Sequence, residues 1–217
     1  MNELKEILRF YEEMGAEFLH LPGSNPHADL AELNRSILQC RQCRLHESKT
    51  HYVIGEGSDH PDIIFIGEGP GQTEDQFGRP FIGNAGQLLD KIIQKMGYHR
   101  EDVFISNVVK CRPPNNREPS KEEAAACLPY LRRQIELLSP QIIVCLGKVA
   151  LNNLLGTNHS MGRIRGQLLS FNHIPLIPTY HPSYILHKKE KEEISQAKRE
   201  VWEDMQKVLT IIAKQRH

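Results

Sequence analysis

The sequence lacks net charge, a long apolar run and an even set of cysteines. Its 27 Lys and Arg balance 27 Asp and Glu, so neither a disordered charged tail nor a polycation that coats nucleic acid through bulk charge is present. Any nucleic-acid contact has to come from a local basic patch. No apolar stretch reaches the roughly 18 residues that a membrane span needs. The opening MNELKEILRF is acidic and amphipathic where a secretory leader is basic and then apolar. Both point to a cytoplasmic protein without membrane contact. Five cysteines, Cys40, Cys43, Cys111, Cys127 and Cys145, are an odd number, which in a reducing compartment argues against a disulfide framework. Internal repeats, low-complexity tracts and an interdomain linker are also missing. What remains is 217 residues, one large domain or two small ones, long enough to bury a core.

That core has a clear grammar. Leu4, Ile7, Leu8, Tyr11 and Met14 recur at helical spacing, and after a Pro/Gly/Asn break Leu30, Leu33 and Ile37 lead a second short helix into Cys40. Asp62 to Gly67 is then a continuous apolar run, the mark of a strand covered on both faces. It empties into a loop holding six of the fifteen glycines, Gly67 to Gly86. A helix with Ala85, Leu88, Leu89, Ile92, Ile93 and Met96 follows, ended by Gly97. Val103 to Val109 reads as a second strand, and Ser120 to Glu123 as a capping box opening a helix to Leu138 that Pro129 should kink. Gln141 to Leu146 is a third strand and Lys148 to Leu155 a short helix. Gln167 to Phe171 and Ile174 to Pro178 are strands around Asn172-His173, and a last helix starts near Lys191. Strands alternating with helices predict an α/β fold with a mostly parallel sheet covered on both faces. Ligands of such sheets bind beyond the carboxyl ends of the strands, here Gly67 to Pro80, Ser106 to Lys110, Gly147-Lys148 and Thr179 to Ser183.

Three groups of residues carry chemistry. Cys40 and Cys43 form C-x2-C, and Cys111 and Cys127 form a second, wider pair. Four thiolates suit zinc or an iron–sulfur cluster, and spacing alone does not separate the two. Cys145 lies mid-strand in an apolar run and reads as core. The loop Gly67-Glu-Gly-Pro-Gly71 offers backbone amides at the mouth of the sheet, but it matches neither G-x-G-x-x-G nor a Gly-Lys-Ser/Thr cradle, and Glu68, Glu74 and Asp75 repel phosphate. A flat, neutral ligand fits better, with Phe81 to stack on it and carboxylates to position a water. Asn107 places a carboxamide, able to donate and accept, where a strand wants an apolar residue. His181 after the last strand is a candidate donor to developing negative charge.

Taken together, Gly67-Glu-Gly-Pro-Gly71, Glu74-Asp75, Gly78-Arg-Pro-Phe-Ile-Gly83, Ala85-Gly86, Asn107-Val-Val-Lys-Cys-Arg-Pro-Pro114 and His181-Pro-Ser183 resemble the type-4, iron–sulfur uracil-DNA glycosylases. The resemblance covers roughly Cys40 to His187. It implies a three-layer αβα sandwich with a central, mostly parallel sheet, formed by residues 40–217, and leaves residues 1–39 as a helical extension packing on it. It also implies hydrolysis of the N-glycosidic bond of uracil in single- or double-stranded DNA, leaving an abasic site, and a 4Fe-4S cluster on Cys40, Cys43, Cys111 and Cys127, with zinc as runner-up. By similarity, the Gly67 to Gly69 backbone contacts uracil, Phe81 stacks on it, Asn107 reads its O4/N3 edge and His181 bonds its O2. Glu68 positions the attacking water and Glu74 supports the loop.

Two departures bear on mechanism. Some superfamily members carry aspartate or asparagine immediately after the position of Glu68, where this chain has Gly69, so leaving-group stabilisation is expected to dominate. A related branch has a basic, histidine-containing insertion after the third cysteine and becomes trapped on its product. Here Arg112 to Pro119 carries neither, so turnover is expected. Lys110, Arg112 and Arg117 flank the proposed cluster and are expected DNA contacts, with Arg163, Arg165, Lys188 and Lys189 as further basic groups. Tyr184, Ile185 or Leu186 is the expected wedge into the gap left by a flipped base. Two other readings compete: a non-catalytic nucleic-acid module stapled by metal or cluster, and a hydrolase of another nucleotide, which needs a phosphate grip the acidic loop does not offer. A monomer is the simplest assembly.

Overall fold

The computed structural model describes residues 26–215; the expected helix around Leu4 to Met14 lies outside them. Within that span the chain runs α1 (Pro26–Leu38), α2 (Leu45–Ser48), β1 (Glu56–Gly57), β2 (Ile63–Gly67), α3 (Gln72–Phe77), α4 (Asn84–Lys95), β3 (Phe104–Asn107), α5 (Lys121–Leu138) and β4 (Ile142–Leu146). It continues with α6 (Lys148–Leu155), α7 (Met161–Ile164), β5 (Leu169–Phe171), β6 (Ile174–Thr179), α8 (Pro182–Leu186) and α9 (Lys191–Gln215). The six strands form one sheet in the order β1-β3-β2-β4-β6-β5. The inner four are parallel, and the short edge strands β1 and β5 pair antiparallel.

The continuous apolar runs explain the layering. Every residue of β2 and β4 is buried, because successive side chains point to opposite faces and both faces are covered. Ile64, Ile66, Ile143 and Cys145 pack on Leu30, Leu131, Ile135 and Leu151 from α1, α5 and α6. Ile63, Phe65, Ile142 and Val144 pack on Leu89, Ile93, Val201 and Val208 from α4 and α9. The result is the expected three-layer αβα sandwich. Cys145 is fully buried in β4, where it acts as a small apolar residue.

Local signals in the sequence were mostly met. The Ser120 hydroxyl accepts from the Glu123 amide while the Glu123 carboxylate accepts from the Ser120 amide, a complete capping box. Pro129 lies inside α5, which runs on through it to Leu138. The second strand is shorter than expected: Val108 and Val109 leave the sheet and donate their amides to Gly67 O (2.9 Å) and Glu68 O (3.2 Å). Elements too short to show a period, α2, β1, α3, α7 and α8, had no signature of their own.

One polar knot locks α9 to the sheet. Asp204 is fully buried; Thr179 Oγ1 donates to it at 2.7 Å and Arg165 forks onto both its oxygens at 3.0 and 3.2 Å. Burial pushes the carboxyl above its ordinary value, against the hydrogen bonds that Thr179 and Arg165 donate. Arg165 is thereby committed to the interior and is not a free DNA contact. Asp204→Ala leaves a largely buried guanidinium with only the Glu200 carbonyl and the exposed Glu203 as partners and is expected to cost about 3 kcal/mol, read as a lowered urea midpoint at unchanged m-value.

Candidate active site

A cleft of about 800 Å³ opens at the carboxyl ends of the parallel strands, where the sequence placed it. Glu68, Gly69, Glu74, Phe81, Asn107 and His181 all line it. Residues scattered over 114 positions of sequence thus meet because β2, β3, β4 and β6 end on the same edge.

Gly67 is where the strand end, a ring and an amide converge. A Cβ there would sit 2.4 Å from Asn107 Oδ1 and 2.5 Å from Phe81 Cζ, so only hydrogen fits. Phe81 has φ +49°, a left-handed conformation that costs a bulky residue on the order of 1–3 kcal/mol. It is held there by Arg100, which donates to Phe81 O at 3.1 Å and to Pro80 O, and is itself fixed by Asp90 (2.7 Å) and Glu56 (2.8 Å). The Phe81 ring faces the His181 ring with centroids 5.5 Å apart.

Asn107 is 1% exposed, and its Oδ1 has no hydrogen-bond partner among the described residues. A buried, unpaired amide oxygen costs about 1–3 kcal/mol and is kept where a ligand supplies the missing donor. That orphan atom belongs to a residue lining the cleft and is the sharpest feature of the site.

The two carboxylates divide their labour. Glu74 Oε1 accepts from the amides of Ile82 (3.0 Å) and Gly83 (2.8 Å), capping the start of α4 and fixing the Phe81 turn. Glu68 makes no such bond among the described residues. Burial, with repulsion from Glu118, pushes its carboxyl up to about 7 against the opposing pull of Lys148. Glu118 and Lys148, 3.1 Å apart in an exposed pair, are residues that the sequence left without a role at the site. The sequence signal for Lys148 is its place after Gly147 at a strand's carboxyl end.

His181 is the N-cap of α8. Its Nδ1 accepts from the Ser183 amide at 3.2 Å and lies 2.7 Å from Ser183 Oγ. An amide N–H can only donate, so Nδ1 bears no proton and the neutral ring carries it on Nε2. Burial pulls the imidazole down to about 4, against the attraction of Glu74. His181 is therefore a neutral donor.

Cys40, Cys43, Cys111 and Cys127 line a separate, small recess of about 20 Å³, closed by Ile37, Tyr52 and Tyr130. Cys40 and Cys43 come from the turn before α2, Cys111 follows β3 and Cys127 lies on α5. The Lys110 amide donates to Cys127 Sγ at 3.3 Å. Burial raises the Cys43 and Cys127 thiols above their ordinary value and pushes Cys111 up to about 12. A bound metal group offsets that penalty by taking up thiolates and releasing protons. Among the described residues no three His, Cys, Asp or Glu form a group that could hold a metal ion.

Two of the expected DNA contacts are overturned. Lys110 is 1% exposed, and its ammonium donates to Ser106 Oγ (2.7 Å), Asn107 O (2.8 Å) and Gln134 Oε1 (2.8 Å), so it cannot reach a phosphate. Ile185 is 3% exposed, packed in the core with Leu89 and Val201, and cannot be a wedge. Helical spacing puts its neighbours outward instead: Tyr184 is 39% and Leu186 47% exposed. Arg112 and Arg117 stay at the surface, bonded to Asn116 (2.8 Å) and Glu123 (2.7 Å). Among the described residues no helix is long and apolar enough to cross a membrane.

Residues 54–206 match the uracil DNA glycosylase superfamily. A type-4 uracil-DNA glycosylase from Thermotoga maritima is 44% identical over 185 residues, spanning 84% of this chain and 94% of its own length. One of the same name from Archaeoglobus fulgidus is 42% identical over 172 residues, spanning 76% and 86%. Another, from Pyrobaculum aerophilum, is 44% identical over 168 residues, spanning 74% and 86%.

The histidine geometry makes a direct prediction. A nitrogen-resolved NMR titration should find His181 neutral with its proton on Nε2, gaining a second proton only near pH 4. Since the unfolded chain takes up that proton near 6.5, stability tied to this residue is lost as the pH falls from about 6.5 to 4.

Proposed function

Because this chain belongs to the uracil DNA glycosylase superfamily, and within it to the type-4 group, we propose that it hydrolyses the N-glycosidic bond of uracil in DNA, releasing the base and leaving an abasic site for repair. The orphan carboxamide of Asn107 carries this reading. Uracil presents an N3–H and an O4 side by side, and an amide placed in plane with them accepts from the first and donates to the second. Membership of a glycosylase family, more than this group, argues against a non-catalytic module stapled by a metal.

The target nucleotide leaves the stack at a cost of a few kcal/mol and enters the cleft. Phe81 supplies the stacking face, and the Gly67 to Gly69 backbone approaches the base edge. As the bond between C1′ and N1 breaks, its electron pair leaves with the base and the sugar gains oxocarbenium character. The Nε2–H of His181 donates to uracil O2, where the negative charge develops. A neutral donor fixed in place before the reaction suits that duty, and one such bond is worth about 3–4 kcal/mol. Glu68 holds the attacking water and takes its proton as oxygen bonds to C1′; Glu74 acts through the Phe81 turn. Gly69 leaves no second carboxylate or amide beside Glu68, which is why leaving-group stabilisation bears the larger share.

We assign Cys40, Cys43, Cys111 and Cys127 to a 4Fe-4S cluster, whose chemistry here is to staple the segment before β1 to the β3–α5 connection. Arg112 and Arg117 at the surface, and Leu186 or Tyr184 in place of Ile185, are the DNA contacts and wedge in this reading. We take the substrate as single- or double-stranded uracil-containing DNA, the protein as a cytoplasmic monomer, and residues 1–39 as an extension on the catalytic domain of residues 40–217.

Incubation with a single-uracil oligonucleotide, followed by alkali, should cleave the strand at uracil; an intact strand in both single- and double-stranded form overturns the enzyme. His181→Ala should lower kcat by about 10²–10³-fold with DNA affinity little changed. Purified protein should be brown with iron and sulfide bound; a colourless, zinc-loaded preparation rejects the cluster. With Glu68 as the base, kcat/KM should rise through an acid limb near pH 7. Removing the repulsion in Glu118→Gln should move that limb down, and removing the attraction in Lys148→Met should move it up.

A further inference from the structure

The segment from Asn107 to Cys111 carries the base-reading carboxamide at one end and a metal-site thiol at the other. Between them lies a buried ammonium that the proposed mechanism does not use. Lys110 folds back along its own chain: its three N–H groups go to Asn107 O (2.8 Å), Ser106 Oγ (2.7 Å) and Gln134 Oε1 (2.8 Å). Each donor is used and none faces solvent. Gln134 is held in turn by donating to Ile54 O at 2.6 Å. The Lys110 main chain is tied as firmly, its amide to Cys127 Sγ (3.3 Å) and its carbonyl to the Val53 amide (2.8 Å). Val108 and Val109 bond across to Gly67 and Glu68.

A fully buried lysine with three neutral acceptors is a costly way to fill space, since an apolar side chain of that length fills it without desolvating a charge. The geometry shows what the ammonium does in return. It clamps the carbonyl of Asn107, the residue whose side chain stands unpaired in the cleft with its Oδ1 against Gly67. We propose that Lys110 is a positioning residue for base recognition: it locks the Asn107 peptide against the Ser106–Gln134 pair and so transmits the anchoring of Cys111 and Cys127 to the carboxamide that reads the base. The inference rests on the assignment of Asn107 to uracil.

The test compares Lys110→Met, which keeps the length and removes the three donors, with the wild type and with Asn107→Ala and the double variant. Displacing a recognition group by a fraction of an ångström to about an ångström costs up to about 10²-fold, so kcat/KM on uracil DNA should fall by about 10- to 100-fold. Free uracil should inhibit correspondingly less well, while iron content, visible absorbance and affinity for abasic-site DNA stay at the wild-type level. In the Asn107→Ala background the same change should cost little further, because the group being positioned is gone. Ser106→Ala, which removes one acceptor and leaves every main-chain tie, should shift uracil inhibition in the same direction by a few-fold. An equal loss in both backgrounds overturns the proposal, as does unchanged uracil inhibition in Lys110→Met and Ser106→Ala. Loss of iron in step with activity in Lys110→Met, with Ser106→Ala behaving as wild type, also overturns it by making Lys110 a support of the cysteine site only. A wild-type protein that releases no uracil is a different result and rejects the parent reading instead.

Discussion

The close approach at Gly67 is the constraint on which the site depends. With a Cβ at that position 2.4 Å from Asn107 Oδ1 and 2.5 Å from the Phe81 ring, β2 can end between that ring and that amide only if it ends in glycine. Everything around it serves to hold that meeting. Arg100 clasps the Phe81 turn from one side and Glu74 caps the following helix from the other. Gly86 permits the crossing, since a Cβ there would lie 1.8 Å from Phe81 O. The strained backbone of Phe81 is thus determined by at least three neighbours, and the strain lies at the wall of the cleft, where it fixes the ring before any ligand arrives.

The cysteine site and the cleft are two ends of one framework. The chain from β3 to α5 passes through Asn107, Lys110, Cys111 and Cys127, so whatever gathers the four thiols also anchors the segment that, in the proposed reading, reads the base. In that reading a structural metal group lies near the chemistry without taking part in it. The electrostatics are arranged along the same lines. The Glu68 carboxyl is held near 7 and the His181 imidazole near 4, so that at neutral pH one is poised to take a proton and the other is neutral and able only to donate at Nε2. Burial is the leading cause of both shifts, and it moves an acid and a base in opposite directions.

Zero net charge is consistent with this arrangement. Of the basic residues that the sequence offered for DNA, Lys110 and Arg165 proved to be internal fasteners, one beneath Asn107 and one on Asp204. Arg112 and Arg117 stay at the surface, and in the proposed reading they supply the remaining grip around the pocket. Recognition by a single extruded base asks for little more, because the pocket, not the backbone contacts, carries the specificity.

The sequence by itself determined the layer order of the fold, since continuous apolar runs at Ile63 to Gly67 and Ile142 to Leu146 have no stable home except between two helical layers. It also determined the location of the site, the capping of α5 and the separation of four paired cysteines from Cys145. These are local or periodic properties, legible from spacing alone. Only the tertiary structure decided which polar groups are free and which are spent. Lys110 and Arg112 look alike in the sequence, two residues apart in a basic stretch, yet one points into the protein and the other out, because the chain turns at Val109 to bond Glu68. Ile185 and Leu186 differ in the same way, by the 100° that one helical step turns a side chain. Whether a charge is a contact or a fastener depends on which acceptors long-range packing brings within 3 Å, and Gln134, 24 residues from Lys110, is not a neighbour that spacing can reveal.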